Sequence, residues 1–310
     1  MIGAEFVPLS LPPMVIGTLA AVACALPGNF LLLRRQALVG DAISHVVLPG
    51  IVLAFVLTGS IGAWAMMLGA GIAALIAVAL IELIKRIGGI EPGAAMGVVF
   101  TSMFAGGVLL LERSDTSGVH LDVEHAMMGN LESLIWLDAT GWGSLFDPEA
   151  LAYLPPELGR LAVTLAVVVA FIGLFWRPLR IATFDPGYAQ VLGVRTGWLG
   201  LGLVVVAAMA AVAAFDAVGS IIVIAMFICP PAAARLMTNR LERQVMWSVF
   251  FAVLSANIGY VLAGYGPIWL GARDSVSAAG MVATVSGLIL FAAAVWGPCR
   301  HRAGAEAAAQ

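Results

Sequence analysis

The distribution of charge along this chain constrains its fold more than any single motif does. Nine apolar runs, at 11–33, 38–58, 61–84, 93–111, 161–176, 198–215, 218–236, 244–265 and 276–297, are separated by short polar connections. A helix crosses the hydrocarbon core of a bilayer with about 20 apolar residues, and all but the fifth run come close to that length. Only 11% of the 310 residues are charged and 62% are hydrophobic. A soluble domain carries about 25% charged residues, so this chain lacks the polar surface to face water. It reads as an all-α, polytopic integral membrane protein with about nine transmembrane helices, or eight if one run is re-entrant. The lipid bilayer is its solvent, and no nucleic-acid partner is expected.

Basic residues set the expected orientation. Arg34 and Arg35, then Lys85 and Arg86, then Arg177, Arg180 and Arg195, then Arg235, Arg240 and Arg243, then Arg300 and Arg302 mark every second connection. The alternate connections hold only Arg113, Arg160 and Arg273. Lys and Arg concentrate in cytoplasmic loops, so the N-terminus is expected outside and the C-terminus, with a short tail at 300–310, inside. The MIGAEFVPLS start has no basic n-region, so no cleavable signal peptide is expected. The long connection 113–160 falls outside in this scheme and is acidic, with Asp115, Asp122, Glu124, Glu132, Asp138, Asp147, Glu149 and Glu157. Its MMGNLESLIWL segment reads as a folded cap. The whole chain, 1–310, is one transmembrane domain.

Several functions are excluded by what the chain lacks. Lys85 is the single lysine and is followed by Arg86, whereas a phosphate-binding P-loop needs Gly-Lys followed by Ser or Thr. Any ATP energy must come from a partner. Cys24, Cys229 and Cys299 have neither zinc-knuckle nor disulfide spacing.

The stretch GDAISHVVLPG, 40–50, places Asp41 and His45 four residues apart and therefore on one helical face. An acidic side chain in mid-membrane costs about 2.5–3.5 kcal/mol on insertion scales, so such residues face a pore, a partner helix or a ligand. Carboxylate oxygen and imidazole nitrogen together suit first-row divalent metals. One pair supplies two ligands, and a twofold dimer with the pair near its axis would supply four. The alternative is that Asp41 caps a helix N-terminus and His45 is a packed polar residue; from spacing alone both stand.

Four ordered segments then carry a resemblance. GNFLLLRRQALVGDAISHVVLPGIVLAF looks like the signature region of the permease subunits of metal-type ABC importers, the zinc, manganese and chelated-iron uptake family. MMGNLESLIWLD resembles their external Gly-Asn segment, FDPGYAQVLGV at 184–194 their cytoplasmic coupling segment, and VGSIIVIAMFICPPAAARLM at 218–237 their late Pro-Ala-Ala-x-Arg helix. The resemblance implies a fold related to cobalamin permeases and a second permease subunit, either identical or a similar paralogue. It further implies a dimer of cytosolic ABC ATPases, an extracytoplasmic metal-binding protein, and a bacterial inner-membrane location. It implies that Asp41 and His45 form the metal site in the path, flanked by Ser44, Pro49 and Gly50. The transported ion would be Mn²⁺, Zn²⁺ or Fe²⁺, and SHVVLPG leans toward the manganese and iron members. No permanently bound cofactor is expected.

Within the coupling region, 177–197, the residues themselves predict a short helix. Asp185 is a favoured cap and Pro186 a favoured first residue. Tyr188, Val191 and Leu192 form an apolar face beside Ala189, and Gly193 ends the helix. An ATPase groove or the lipid surface could cover that face. Pro230 and Pro231 are expected to kink their helix, and Cys229 before them reads as incidental. His120, Asp122, Glu124 and His125 could receive metal from outside, although a solvated loop face is the commoner outcome. Glu82 is expected to pair with Lys85 or Arg86, and Asp216 to sit at a helix end.

Two rival functions share these residues. A proton-coupled secondary metal transporter would use Asp41 and His45 as relay and ligands and need no ATPase. An intramembrane hydrolase would need Ser44 and His45 as nucleophile and base, but neighbours on a helix point about 100° apart, and no Gly-x-Ser-x-Gly element is present.

Overall fold

The structure, a computed structural model, describes residues 6–37, 39–58, 63–113, 131–139, 141–269, 271 and 276–299. Twelve α-helices run along the described residues: α1 (Phe6–Leu9), α2 (Leu11–Leu33), α3 (Val39–Thr58), α4 (Ala63–Gly88), α5 (Pro92–Arg113), α6 (Pro148–Leu151), α7 (Pro156–Leu174), α8 (Trp176–Phe184), α9 (Pro186–Val191), α10 (Thr196–Met237), α11 (Leu241–Trp269) and α12 (Ala278–Trp296). There is no strand among them. Seven helices are long and apolar enough to cross a membrane: α1 with α2, most of α4, α5, α7, α10, α11 and α12. The apolar run at 38–58 is α3, whose 20 residues extend about 30 Å at 1.5 Å each.

Two of the nine apolar runs share α10. A straight helix of its 42 residues would be about 63 Å long, yet both of its ends lie at the same end of the bundle. Near its start, a Cβ on Gly200 would lie 3.3 Å from Arg34 Nη1, and Arg34 Nε donates to Thr183 Oγ1 at 3.2 Å. Just past its other end, Glu242 pairs with Arg180 of α8 at 2.7 Å. Midway, Asp216 pairs with Arg160, near the start of α7, at 2.6 Å. The chain therefore runs out and back, turning at Gly219, whose φ of 79° and ψ of 172° interrupt the helix. That backbone region is essentially open to glycine alone.

Pro230 and Pro231, expected to kink this helix, lie inside its second arm, and the one interruption of helical backbone falls at Gly219. Pro231 has no N–H for the Phe227 carbonyl, and that carbonyl instead abuts Gly28, where a Cβ would sit 2.5 Å from the oxygen. α2 therefore packs closely against the proline segment.

The two arms of α10 and α2 form the centre of the core, with Phe30, Leu203, Ile222, Met226 and Phe227 almost fully buried. Polar rungs also join α2 to α11. Gln244 Nε2 donates to Asn29 Oδ1 at 3.2 Å and Asn257 Nδ2 to Thr18 Oγ1 at 3.0 Å. Such hydrogen bonds favour specific helix pairing in lipid. At one end, residues 131–139 and 141–155 fold over the bundle. Trp136 is buried and its Nε1 donates to the Ala150 carbonyl at 2.9 Å, while Glu132 accepts from the Ala278 amide.

The described residues of the connections predicted to be basic gather at the opposite end. Arg34, Arg35 and Lys85 line one cavity there with Thr183 and Thr196. Lys85 Nζ is 2.8 Å from Glu82 Oε2; the side chain of Arg86 lies outside the described ones.

Candidate functional site

α3 begins at Val39, so Asp41 lies inside its first turn and is not the capping residue. His45 follows one turn later, and its Nε2 is 3.4 Å from Asp41 Oδ1. Each side chain is about one quarter exposed (25% and 27%). At 3.4 Å the contact is too long for a good hydrogen bond. It is the right span for a shared ion: a metal about 2.1 Å from both atoms would subtend an angle of about 108° between them. Among the described residues no third His, Cys, Asp or Glu converges on the pair.

The pair is held from two sides. The His45 ring stacks on Phe100 with centroids 5.4 Å apart and meets Phe104 edge-on at 5.5 Å. Both phenylalanines belong to α5. Pro49 and Gly50 then fix the distance of α3 from its neighbours. A Cβ on Gly50 would meet the Gly69 carbonyl of α4 at 2.5 Å, and a Cβ on Gly107 of α5 would meet Pro49 at 2.7 Å. The Pro-Gly pair is thus where α3 is wedged between α4 and α5. Sequence reasoning did not find Phe100 and Phe104. Their spacing of four on an apolar helix was the available signal, and it is shared by many core aromatics.

The segment after α8 forms the predicted short helix. Asp185 Oδ1 accepts from the Tyr188 amide at 2.8 Å, with Pro186 in the first turn. At the other end Val194 N donates to Ala189 O at 2.9 Å and Gly193 N to Gln190 O at 2.9 Å, with Gly193 at φ 81°. This is a Schellman closure with glycine in the left-handed position. Ala189 is fully buried, whereas Tyr188, Leu192 and above all Val191, at 84%, are exposed. The apolar face therefore points away from the body of the protein, joined by exposed Phe184 and Trp198.

Other residues singled out from the sequence fall apart from this site. His120, Asp122, Glu124 and His125 lie outside the described residues, as does the side chain of Ser44. Cys229 is half-buried and unbridged.

The comparisons with known proteins bear on the same architecture. A model of the ABC 3 transport family matches residues 8–138 and 149–296. The chain belongs to the ABC 3 transport family. Its relatives include the manganese transport system membrane protein MntD of Bacillus subtilis (strain 168), 38% identical over 282 residues, covering 91% of this chain and 90% of that protein. The zinc transport system membrane protein TroD of Treponema pallidum (strain Nichols) is 36% identical over 222 residues, 72% of this chain and 58% of that protein. Among solved structures, PsaBC from Streptococcus pneumoniae in complex with Fab superposes with a TM-score of 0.72 at 24% identity, over 94% of this chain and 92% of that one. The resemblance to permeases of metal-type ABC importers, read from four motifs, is thus shown. As an ABC 3 permease the chain is a multi-pass membrane subunit of a transporter and not itself an enzyme.

Proposed function

We propose that this permease moves a divalent transition metal, with Mn²⁺ as the first candidate and Zn²⁺ or Fe²⁺ as alternatives, from an external binding protein to the cytosol. The observation that carries the reading is the Asp41–His45 pair, a quarter exposed and spaced for one ion. The acid and the imidazole suit these metals. Relatives named for manganese and for zinc transport support the class of cargo. Two ligands per chain are too few to hold such an ion against water, so a second permease subunit completes the set with its own Asp and His. A four-ligand site assembled between two chains can open as they separate, which suits an ion that must be released.

ATP hydrolysis belongs to a cytosolic ATPase dimer, and the exposed face of α9 is its contact. Asp185 and Gly193 set the two ends of α9, so a push on Tyr188, Val191 and Leu192 moves a rigid element. Those residues sit at the basic end of the bundle, the end expected to be cytoplasmic.

The test is elemental analysis of metal-starved cells lacking this gene, complemented with wild type, Asp41→Ala or His45→Ala at matched expression. Wild type restores one metal and both variants lose most of that uptake. Full restoration by the variants removes the pair from the path. Deleting the partner ATPase decides between the ATP-driven importer and a proton-coupled carrier, which would keep working.

A further inference from the structure

At the basic end, a cavity of about 970 Å³ lies between α3, α4 and α5 on one side and α8 and α10 on the other. Ala42 and Val46 of α3 line it, and Asp41 and His45 do not. At this level open space separates α3 from α8, the helix that leads into α9. A displacement of α9 therefore needs a solid route around that space to reach the helix that carries Asp41.

Arg34 supplies one. It is the capping residue at the end of α2, and its Nε donates to Thr183 Oγ1 at 3.2 Å. That hydroxyl in turn donates to the Leu179 carbonyl at 2.7 Å, which ties the contact into α8. Gly200 of α10 leaves room for the guanidinium, since a Cβ there would lie 3.3 Å from Nη1. One turn before Arg34, Phe30 meets Trp176 at the start of α8 edge-on, with ring centroids 5.9 Å apart. α2 and α8 are thus joined by an apolar contact and a polar one, and the polar one stands at the end nearer α9.

The two sides of this contact lead to the two working parts of the molecule. Thr183 lies just before Asp185, the cap of α9, and Asp185 N donates to Ile181 O at 2.8 Å, so α8 passes into α9 without slack. Arg34 opens the connection to α3, which begins at Val39 and carries Asp41 in its first turn. That connection is short and hydrogen-bonded. Arg35 N donates to Leu32 O at 3.0 Å, Gln36 N to Leu31 O at 2.8 Å and Val39 N to Gln36 O at 3.1 Å. A movement of Arg34 is therefore carried into the first turn of α3.

Arg34 is also one hydrogen bond short. Its Nη2 is buried with no partner among the described residues, and a buried donor without an acceptor is costly. Acceptors stand at the end of α8. No backbone amide among the described residues donates to the carbonyls of Ala182, Thr183 or Phe184. These are the orphan carbonyls of a helix C-terminus, where arginine is favoured. We propose that Arg34 is a positioning residue of the transport cycle: it holds the end of α8 through Thr183 in this conformation, takes a terminal carbonyl of α8 when the ATPase displaces α9, and draws the α2–α3 connection and Asp41 with it. The proposal rests on the ATP-driven importer proposed above.

The test is the full importer in liposomes, both permease subunits with the ATPase and the external binding protein loaded with Mn²⁺, with Mn²⁺ uptake and ATP hydrolysis measured together. Thr183→Val removes the acceptor and keeps the side-chain shape. Arg34→Lys keeps the charge and removes the planar fork. Each lowers the Mn²⁺ moved per ATP roughly tenfold, within the range one residue contributes to coupling between sites. Thr183→Ser, which keeps the hydroxyl, holds the wild-type ratio. The double variant Arg34→Lys with Thr183→Val falls no further than either alone, because both remove one contact. A merely structural contact would lower the melting temperature and both activities together and leave the ratio unchanged. An unchanged ratio in Thr183→Val therefore overturns the proposal, and so does an equal loss in Thr183→Ser. A wild type that moves no Mn²⁺, or moves it without ATP, removes the importer reading and this proposal with it.

Discussion

Gly50 shows how much one missing Cβ carries. Its backbone meets the Gly69 carbonyl of α4, and nothing flexible can yield, because the atom in the way is main chain. Gly50→Val should therefore separate α3 from α4, and overpacking of this kind costs about 1–3 kcal/mol. The expected outcome is a lower melting temperature of the detergent-solubilised chain and weaker metal uptake. Gly71 is the control, since a Cβ there meets nothing within 4 Å, and Gly71→Ala should melt no lower than wild type. The same scale limits what could be read beforehand. The four-residue spacing of Asp41 and His45 was legible, because helix periodicity puts them on one face. The stacking of Phe100 on His45 was not, because it depends on how α5 turns against α3.

At the scale of the element, α9 has six residues, too few for a helix to persist on its own in water. It exists because Asp185 caps one end, Gly193 closes the other and Ala189 is buried beneath it. Val191 stabilises none of this, being 84% exposed. Val191→Asp should leave the melting temperature unchanged while the ATPase no longer co-purifies and uptake fails. Asp185→Ala should instead lose about 1 kcal/mol of capping energy and weaken the coupling without abolishing it. Retained uptake in Val191→Asp would remove α9 as the ATPase contact. The ends of this helix were legible because capping is local chemistry. That Tyr188, Val191 and Leu192 form an outward face was legible too; whether an ATPase groove or lipid covers it was not, since an apolar face has the same periodicity in either case.

At the scale of the whole molecule, the proposed metal site has two ligands on one chain and needs the rest from elsewhere. Purified permease, assembled with the proposed second subunit, should hold about one Mn²⁺ for every two chains, a site of four N and O ligands from two Asp–His pairs. Elemental analysis of the desalted complex measures the ratio. One ion per chain would mean that each copy completes its own site, and none in Asp41→Ala is the matching control. The ABC 3 family and the all-helical membrane fold were legible from charge spacing and four motifs. Both depend on patterns in one dimension: apolar runs long enough for a bilayer, and short signatures kept in order. Where Thr196–Met237 turns depended on the third dimension. Pro230 and Pro231 were the visible sequence signal in this helix, yet the reversal falls at Gly219, while Gly28 of α2 lies against the Phe227 carbonyl that Pro231 leaves without a donor. The cavity at the basic end is likewise a tertiary product. Arg34, Arg35 and Lys85 are distributed over two connections, and packing alone brings them to one cavity. Local periodicity and composition therefore determined the elements and their solvent, whereas the juxtaposition of distant residues was decided by which helices could approach closely enough to pack.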